Sequence, residues 1–404
     1  MNSITLKINN EYNLSNIKIN TIIRQVQDVL IEVHEYASSR LFNEVGISLD
    51  TISNFDRLCQ TYQNDRICMF TGAGVSFTES KYYRTSGWWD LLMEIYGIIH
   101  PTTSDENLTS AFNELREQYS KPWQMASYLE NKAGSDRFTE ILRQIFYLRS
   151  AKKDSGLRPI AADKDKRLPI AYLNHASTLN AAIAFCSKIR AIRKHPCYIK
   201  NEKIHAVLTL NYDCFLEAGA TQKYNAGRFK PRVTNEPPDR ENQLPVYHIH
   251  GYIPYGGRKP AHKLILTEES YKNAYEKGGK AREIIDEFLG RFAAIFIGVS
   301  FDDELLLQRL EYLAKNDRAK HHFALLNQGV SKDLLKRLVS VKVFPILYSC
   351  HEQIPMILRH IYQTMLSDTL NVNIEAKTDE KFQKVGKVKL SKDEYWELLL
   401  FNKK

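Results

Sequence analysis

The fold is decided by Ile67-Cys68-Met69-Phe70-Thr71-Gly72-Ala73-Gly74-Val75-Ser76. A short continuous apolar run, stopped by a glycine, is how a buried parallel strand entering a helix looks. Gly72, Ala73 and Gly74 supply a turn without a bulky side chain. A phosphate could there approach backbone N–H groups at a helix start, and Ser76 could add a hydroxyl. The stretch falls short of G-x-G-x-x-G, because Phe77 stands where the third glycine would be. A plain strand-to-helix turn accounts for the same residues.

Working outward, three more apolar runs end in polar turns. His205–Leu210 leads into Asn211-Tyr212-Asp213, Pro245–His250 into Gly251, and Ala293–Gly298 into Val299-Ser300-Phe301-Asp302. His322–Leu326 and Val341–Ile346 complete the strand candidates, with Lys263–Thr267 as a shorter piece. Helical patterns at Ala281–Phe292 and Asp303–Lys315 separate them. Alternating strand and helix predicts an α/β fold with a doubly wound, parallel, Rossmann-like sheet. Ligands in such sheets bind at the carboxyl ends of the strands, where all four turns lie.

Residues 105–200 carry amphipathic helical patterns, such as Leu129 to Leu148, with a Lys-rich interruption near 151–168. They are expected to form a mostly helical subdomain inserted into a core spanning residues 66–365. Residues 1–65 read as an extension with a short strand, Ile4–Ile8, and a helix marked by Ile22, Ile23, Val26, Val29, Leu30, Val33 and Ala37. Residues 366–404 read as a tail, with an alternating strand at Phe382–Leu390 and an apolar end at Leu398–Phe401. An exposed apolar end is costly, so it is expected to pack on the body or on another subunit.

The bulk properties narrow the class. A chain of 404 residues, 43% hydrophobic and 25% charged, has the composition of a globular protein with one large domain or two ordinary ones. No window reaches the roughly 18 uninterrupted apolar residues of a membrane span, and Met1–Thr5 lacks a signal pattern; the expected location is cytoplasmic. The six cysteines are scattered and contain no C-x-x-C pair, which argues against a disulfide framework or zinc ribbon, and no metal is expected. The formal charge of +9 permits nucleic-acid contact. Much of the excess lies between Lys152 and Arg167 and after Lys377, without interleaved aromatics, so such contact is expected to be indirect or weak.

The turns carry the candidate chemistry. The Asn211 amide could hold a ribose hydroxyl or a water, and the Asp213 carboxylate could brace the loop, although both residue types are common in turns because they bond their own backbone. Alternation places His248 and His250 on one strand face. One of them could act as a general base near neutral pH, and Gly251 makes His250 the better choice. Gly298 and Ser300 suit a ribose or phosphate, while Ser300, Asp302 or Asp303 could cap the following helix. Thr267 suits a cap before Glu268-Glu269. His321-His322 reads as a strand start. Trp88 and Trp89 could line a pocket or simply pack.

The succession Gly-Ala-Gly-x-Ser, Thr-x-Asn-x-Asp, His-Gly and Gly-x-Ser, from Arg66 to Ile346, resembles the sirtuin family. The resemblance implies an NAD-binding catalytic domain with NAD+ as substrate. Gly72, Ala73, Gly74 and Ser76 would line the diphosphate and ribose. Asn211 would position the nicotinamide ribose or a water, Asp213 would support that loop, and His250 would be the catalytic histidine. Gly298 and Ser300 would contact the adenosine half.

Two departures bear on the chemistry. Protein-deacylating sirtuins carry a four-cysteine zinc ribbon after the histidine motif; here Cys214 precedes it and only Cys350 follows. They also carry Gly-Ile-Pro-x-Phe-Arg after the first glycines; here the chain reads Phe77-Thr78-Glu79-Ser80, then Ser86-Gly87-Trp88-Trp89-Asp90-Leu91-Leu92. The glycine-then-tryptophan stretch is similar to the sirtuin-like domains of bacterial antiphage systems, in which the domain hydrolyses NAD+. The resemblance thus implies an NAD+ glycohydrolase acting as an abortive-infection effector, a homo-oligomer gated by assembly with a HerA-type ATPase partner. An NAD-dependent protein deacylase and a non-catalytic nucleotide-binding scaffold are the alternatives.

Overall fold

The computed structural model describes residues 51–76, 87–101, 105–148, 176–192, 195–224, 229–234, 243–254, 260, 262–358 and 361–362. The expected strand and helix before residue 51, the Lys-rich stretch at 151–168 and the tail from 366 lie outside the described residues.

A 7-stranded sheet runs in the order β5-β6-β4-β1-β7-β8-β9. Its strands are β1 (Ile67–Thr71), β4 (Ile204–Thr209), β5 (Phe229–Arg232), β6 (Leu244–His248), β7 (Ala293–Ile297), β8 (His322–Asn327) and β9 (Val343–Tyr348). Every pairing in it is parallel, which bears out the doubly wound, Rossmann-like α/β reading. The apolar runs are continuous because both faces are covered. In β1, Ile67 and Met69 enter one core while Cys68 and Phe70 enter the other.

The first core is closed by α1 (Thr51–Asn64), α2 (Trp88–Ile99), α3 (Asp105–Gln118), α4 (Pro122–Ala133), α5 (Ser135–Arg143), α6 (Ser177–Phe185) and α7 (Phe215–Tyr224). The second is closed by α8 (Glu268–Tyr275), α9 (Lys280–Arg291), α10 (Glu304–Lys315) and α11 (Lys332–Ser340). The chain builds outward from β1 through β4 to the β5 edge. It then returns across β1 to lay down β7, β8 and β9. That reversal places the ligand crevice at the carboxyl end of β1.

Four local readings are corrected or extended. Lys263–Thr267 is not a strand: Ile265 N–H bonds the His250 carbonyl at 2.9 Å, and the stretch then turns into α8. Thr267 caps that helix, with its own N–H donating to Ser270 Oγ at 2.9 Å. The Leu129–Leu148 pattern is not one helix, because Gly134 takes φ +79 between α4 and α5. A π-helical turn, Gln144–Leu148, follows α5. Within the stretch expected to be helical, β2 (Ser187–Ile192) and β3 (His195–Lys200) form an antiparallel pair. The edge strand β5 was not expected; Pro231 breaks its pattern and is tolerated at an edge. Among the described residues no helix is long and apolar enough to cross a membrane.

Candidate active site

The turns after β1 and β7 are built against one another. Gly72 N–H donates to the Ile297 carbonyl at 3.1 Å, and Gly74 N–H to the Gly298 carbonyl at 3.0 Å. A Cβ on Gly74 would stand 2.7 Å from Gly298 Cα. Gly298 adopts φ +66, and a Cβ there would stand 2.4 Å from Val75 N. The glycines are therefore required by backbone packing, whatever ligand also approaches them. The helix expected after Gly72 begins as a single 3-10 turn, Ala73–Val75.

Ser76 joins this turn to the one after β4. Asn211 Nδ2 donates to Ser76 Oγ at 3.3 Å, and Ser76 Oγ lies 3.3 and 3.4 Å from the Asp213 carboxylate oxygens. Asp213 also accepts Phe215 N–H at 3.1 Å, at the start of α7. The turn reading and the site reading of Asp213 hold together. Burial pushes its carboxyl up to about 6, against the opposing effect of the Phe215 N–H.

The two histidines diverge, contrary to the shared face expected for them. Strand β6 ends at His248, and Gly251 at φ +81 turns the chain. His248 Nδ1–H donates to the Asn211 carbonyl at 2.8 Å, and Nε2 lies 2.8 Å from Glu217 Oε1. His250 instead meets Tyr275 Oη at 2.9 Å from Nε2 and Tyr271 Oη at 3.2 Å from Nδ1. Asp303 Oδ2 stands 3.5 Å from the same Nε2. His250 is 2% exposed, and burial pushes its ring down to about 3. It is thus neutral at neutral pH, a hydrogen-bonding group rather than the near-neutral base that strand position alone suggested. Asp303 is the cap of α10, accepting from Leu305 N at 3.0 Å and Leu306 N at 3.2 Å, and burial pushes it up to about 6.

Cys214, Glu217 and His248 bring possible metal-ligand atoms within 4.8 Å of one another. Two ligands on a tetrahedral zinc with bonds near 2.0–2.1 Å sit about 3.3 Å apart. The 2.8 Å separation of His248 Nε2 and Glu217 Oε1 is instead that of a direct, charge-assisted hydrogen bond.

Gly72, Ala73, Gly74, Ser76, Asn211, Asp213, His250, Gly298 and Ser300 all line one cavity of about 690 Å³. That volume lies in the roughly 300–1,000 Å³ range of small-molecule clefts. Trp88, Phe146, Tyr212 and Tyr271 form its aromatic wall, and Asn327, Tyr348 and His351 lie at the β8–β9 end. Trp88 both packs and lines, with its ring centroid 5.3 Å from that of Tyr271. Trp89 lies outside the cavity lining, under the guanidinium of Arg116 at 4.5 Å. Tyr271, Tyr275 and Glu217 were not singled out from the sequence, and Asp303 was read only as a cap. The one available signal was the i, i+4 spacing of Tyr271 and Tyr275, which gives them a common helix face.

Residues 205–346 match the family described as SIR2-like domain. The matched stretch carries Asn211, Asp213, His250, Gly298 and Ser300 but not the β1 turn. No curated protein matches the chain. The match and the all-parallel sheet together support a SIR2-family domain with NAD-related activity, and SIR2-like domains use NAD+.

Proposed function

We propose that the protein is an NAD+ glycohydrolase, cleaving NAD+ with water to nicotinamide and ADP-ribose. The observation that carries the reading is convergence: residues from four separate strand ends line one cavity, with Asn211, Ser76 and Asp213 bonded to one another and His250 in the same lining. In the reaction the C1′–N bond breaks and its electron pair stays with nicotinamide. Positive charge spreads over the ribose as that bond lengthens. Water then adds at C1′ and its proton is released. Asn211 orients the water or a ribose hydroxyl. The neutral His250 ring, bonded at rest to Tyr275 and Tyr271, exchanges one tyrosine for a ribose hydroxyl as the C1′–N bond lengthens, and the buried carboxylates of Asp213 and Asp303 favour the developing cation.

Water as acceptor is favoured by the aromatic surroundings of His250. Tyr271 and Tyr275 bond it, Tyr212 stands 6.2 Å away, and the ring is 2% exposed. An acyl-lysine side chain would need a channel through that wall. A hydrolase that drains NAD+ harms its own cell unless gated. The biological role we propose is an antiphage abortive-infection effector in the cytoplasm, a homo-oligomer controlled by assembly with a HerA-type ATPase.

The test is NAD+ consumption by the purified protein, alone and with the ATPase, against His250→Ala and Asn211→Ala. Nicotinamide release by the wild type and its loss in both variants supports the reading. NAD-dependent removal of an acyl group from a lysine peptide would replace it with a deacylase. NAD+ binding without turnover would leave a scaffold.

A further inference from the structure

Glu217 and His248 form a buried pair that the roles above do not use. Glu217 lies in the first turn of α7 and is 7% exposed; His248 ends β6 and is 1% exposed. Both partners of the imidazole are acceptors. The Asn211 carbonyl, 2.8 Å from Nδ1, carries no proton, and a Glu217 carboxylate oxygen lies 2.8 Å from Nε2. The arrangement is satisfied by a ring with a proton on each nitrogen, facing an ionised carboxylate. Such a pair is a poor source of stability, because desolvating two charges offsets their attraction. Its geometric effect is specific. The Asn211 carbonyl is held by a charge-assisted hydrogen bond, and the Asn211 N–H by Thr209 Oγ1 at 3.1 Å. With both backbone groups held, the side chain is left aimed at Ser76.

We infer that Glu217 and His248 are positioning residues for Asn211: the doubly protonated His248 ring, paired with Glu217, clamps the Asn211 carbonyl and thereby fixes the Asn211 amide in the cavity. The inference rests on the hydrolase reading for what the amide then does, but the clamp itself can be measured without turnover. Burial pushes the His248 ring down, yet the Glu217 charge and hydrogen bond, together with the Asn211 carbonyl and the Asp213 charge, leave the ring above its ordinary value. The other groups facing the ring do not supply a competing cation contact. Asp213 adds attraction, the Cys214 thiol lies in the same cluster, Tyr252 stands 4.9 Å away ring to ring, and burial pushes the neighbouring His262 down. The clamp therefore stays charged to a higher pH than a free imidazole would, and it is lost as pH rises through the raised value of the ring.

The experiment compares wild type, Glu217→Gln, His248→Asn and His248→Ala. Imidazole 15N resonances and the Asn211 side-chain amide resonance are recorded across pH. ADP-ribose binding is measured by calorimetry, and NAD+ turnover is split into kcat and KM. In the wild type, His248 is expected to keep both nitrogens protonated to a pH above the ordinary imidazole value. In Glu217→Gln it loses one near its ordinary pH of about 6.5, and the Asn211 amide signal broadens. The kcat of Glu217→Gln is expected to fall roughly 10- to 100-fold, as for a catalytic group displaced by a fraction of an ångström. Its ADP-ribose affinity should stay within about twofold, because the amide is misplaced rather than removed. His248→Asn, whose amide can still donate to the Asn211 carbonyl, should retain more kcat than His248→Ala, and it serves as the test if Glu217→Gln does not fold. A singly protonated His248 in the wild type, unchanged kcat and Asn211 signal in the folded variants, or stoichiometric zinc lost on Cys214→Ser would each overturn the clamp. No turnover by the wild type would overturn the hydrolase reading instead, and the resonances would still decide the clamp.

Discussion

Gly74 and Gly298 lie in backbone contact: the Gly74 N–H bonds the Gly298 carbonyl at 3.0 Å, and a Cβ on either would meet the other's backbone at 2.6–2.7 Å. This contact joins the turns at the ends of β1 and β7, the strands on the two sides of the crevice. Gly298→Ala adds the cost of φ +66 to the clash. Each alanine substitution is expected to lower stability by about 1–3 kcal/mol, the usual range for overpacking a tight contact. Denaturant midpoints at constant m-value check this. An unchanged midpoint would mean that the two turns part without cost.

Removing chemistry should separate from removing structure. Asn211→Ala and His250→Ala are expected to lower kcat for nicotinamide release by about 10²-fold or more, in the range of lost acid–base or positioning groups. ADP-ribose affinity should change far less. Tyr275→Phe, which deletes only the hydroxyl 2.9 Å from His250 Nε2, should lower kcat several-fold by freeing the ring. Equal losses in binding and in kcat would show that these residues hold the ligand rather than act on it.

Asp303 should make stability fall with rising pH. Burial raises its folded-state carboxyl from 3.8 to about 6. Between those values the native state binds more proton than the unfolded one, so the favourable contribution is full below about 4 and is lost as pH rises through about 6. Asp213 acts in the same direction over the same window. Asp303→Asn keeps a side-chain oxygen for the Leu305 and Leu306 N–H groups while removing the charge. It is expected to flatten the decline by up to about 3 kcal/mol, the equivalent of roughly two pH units. Thermal unfolding from pH 4 to 7 checks the slope, and an unchanged slope in the variant would rule Asp303 out as its source.

Chelation should leave turnover intact. The Glu217–His248 separation of 2.8 Å is that of a direct ion pair. Dialysis against a strong chelator is therefore expected to change neither kcat nor the melting temperature, and restoration of lost activity by added zinc would contradict this.

The legible part of this protein was the part governed by sequence-local physics. Apolar runs bounded by glycine or polar turns specified β1, β4, β6, β7, β8 and β9, because a strand covered on both faces must be apolar throughout. The Thr267 cap was equally readable, because a cap is decided within three residues, whereas the cap of α10 was narrowed only to Ser300, Asp302 or Asp303. Lys263–Thr267 misled because its short apolar run, Leu264 to Leu266, found no strand partner. The edge strand β5 was hidden because Pro231 breaks the pattern that an interior strand would need.

The sequence by itself determined the α/β class, the strand ends and the residues set there, since spacing and turn chemistry act along the chain. Only the tertiary structure decided the assignments among those residues. The separate partners of His248 and His250 depend on where β6 stops. The lowering of His250 and the raising of Asp213 and Asp303 depend on burial, which a periodic pattern does not measure. Glu217 reaches His248 across 31 positions, and Tyr275 reaches His250 across 25. Such contacts exist only once the sheet has brought its carboxyl ends together, because a hydrogen bond requires two atoms within about 3 Å whatever their separation in sequence.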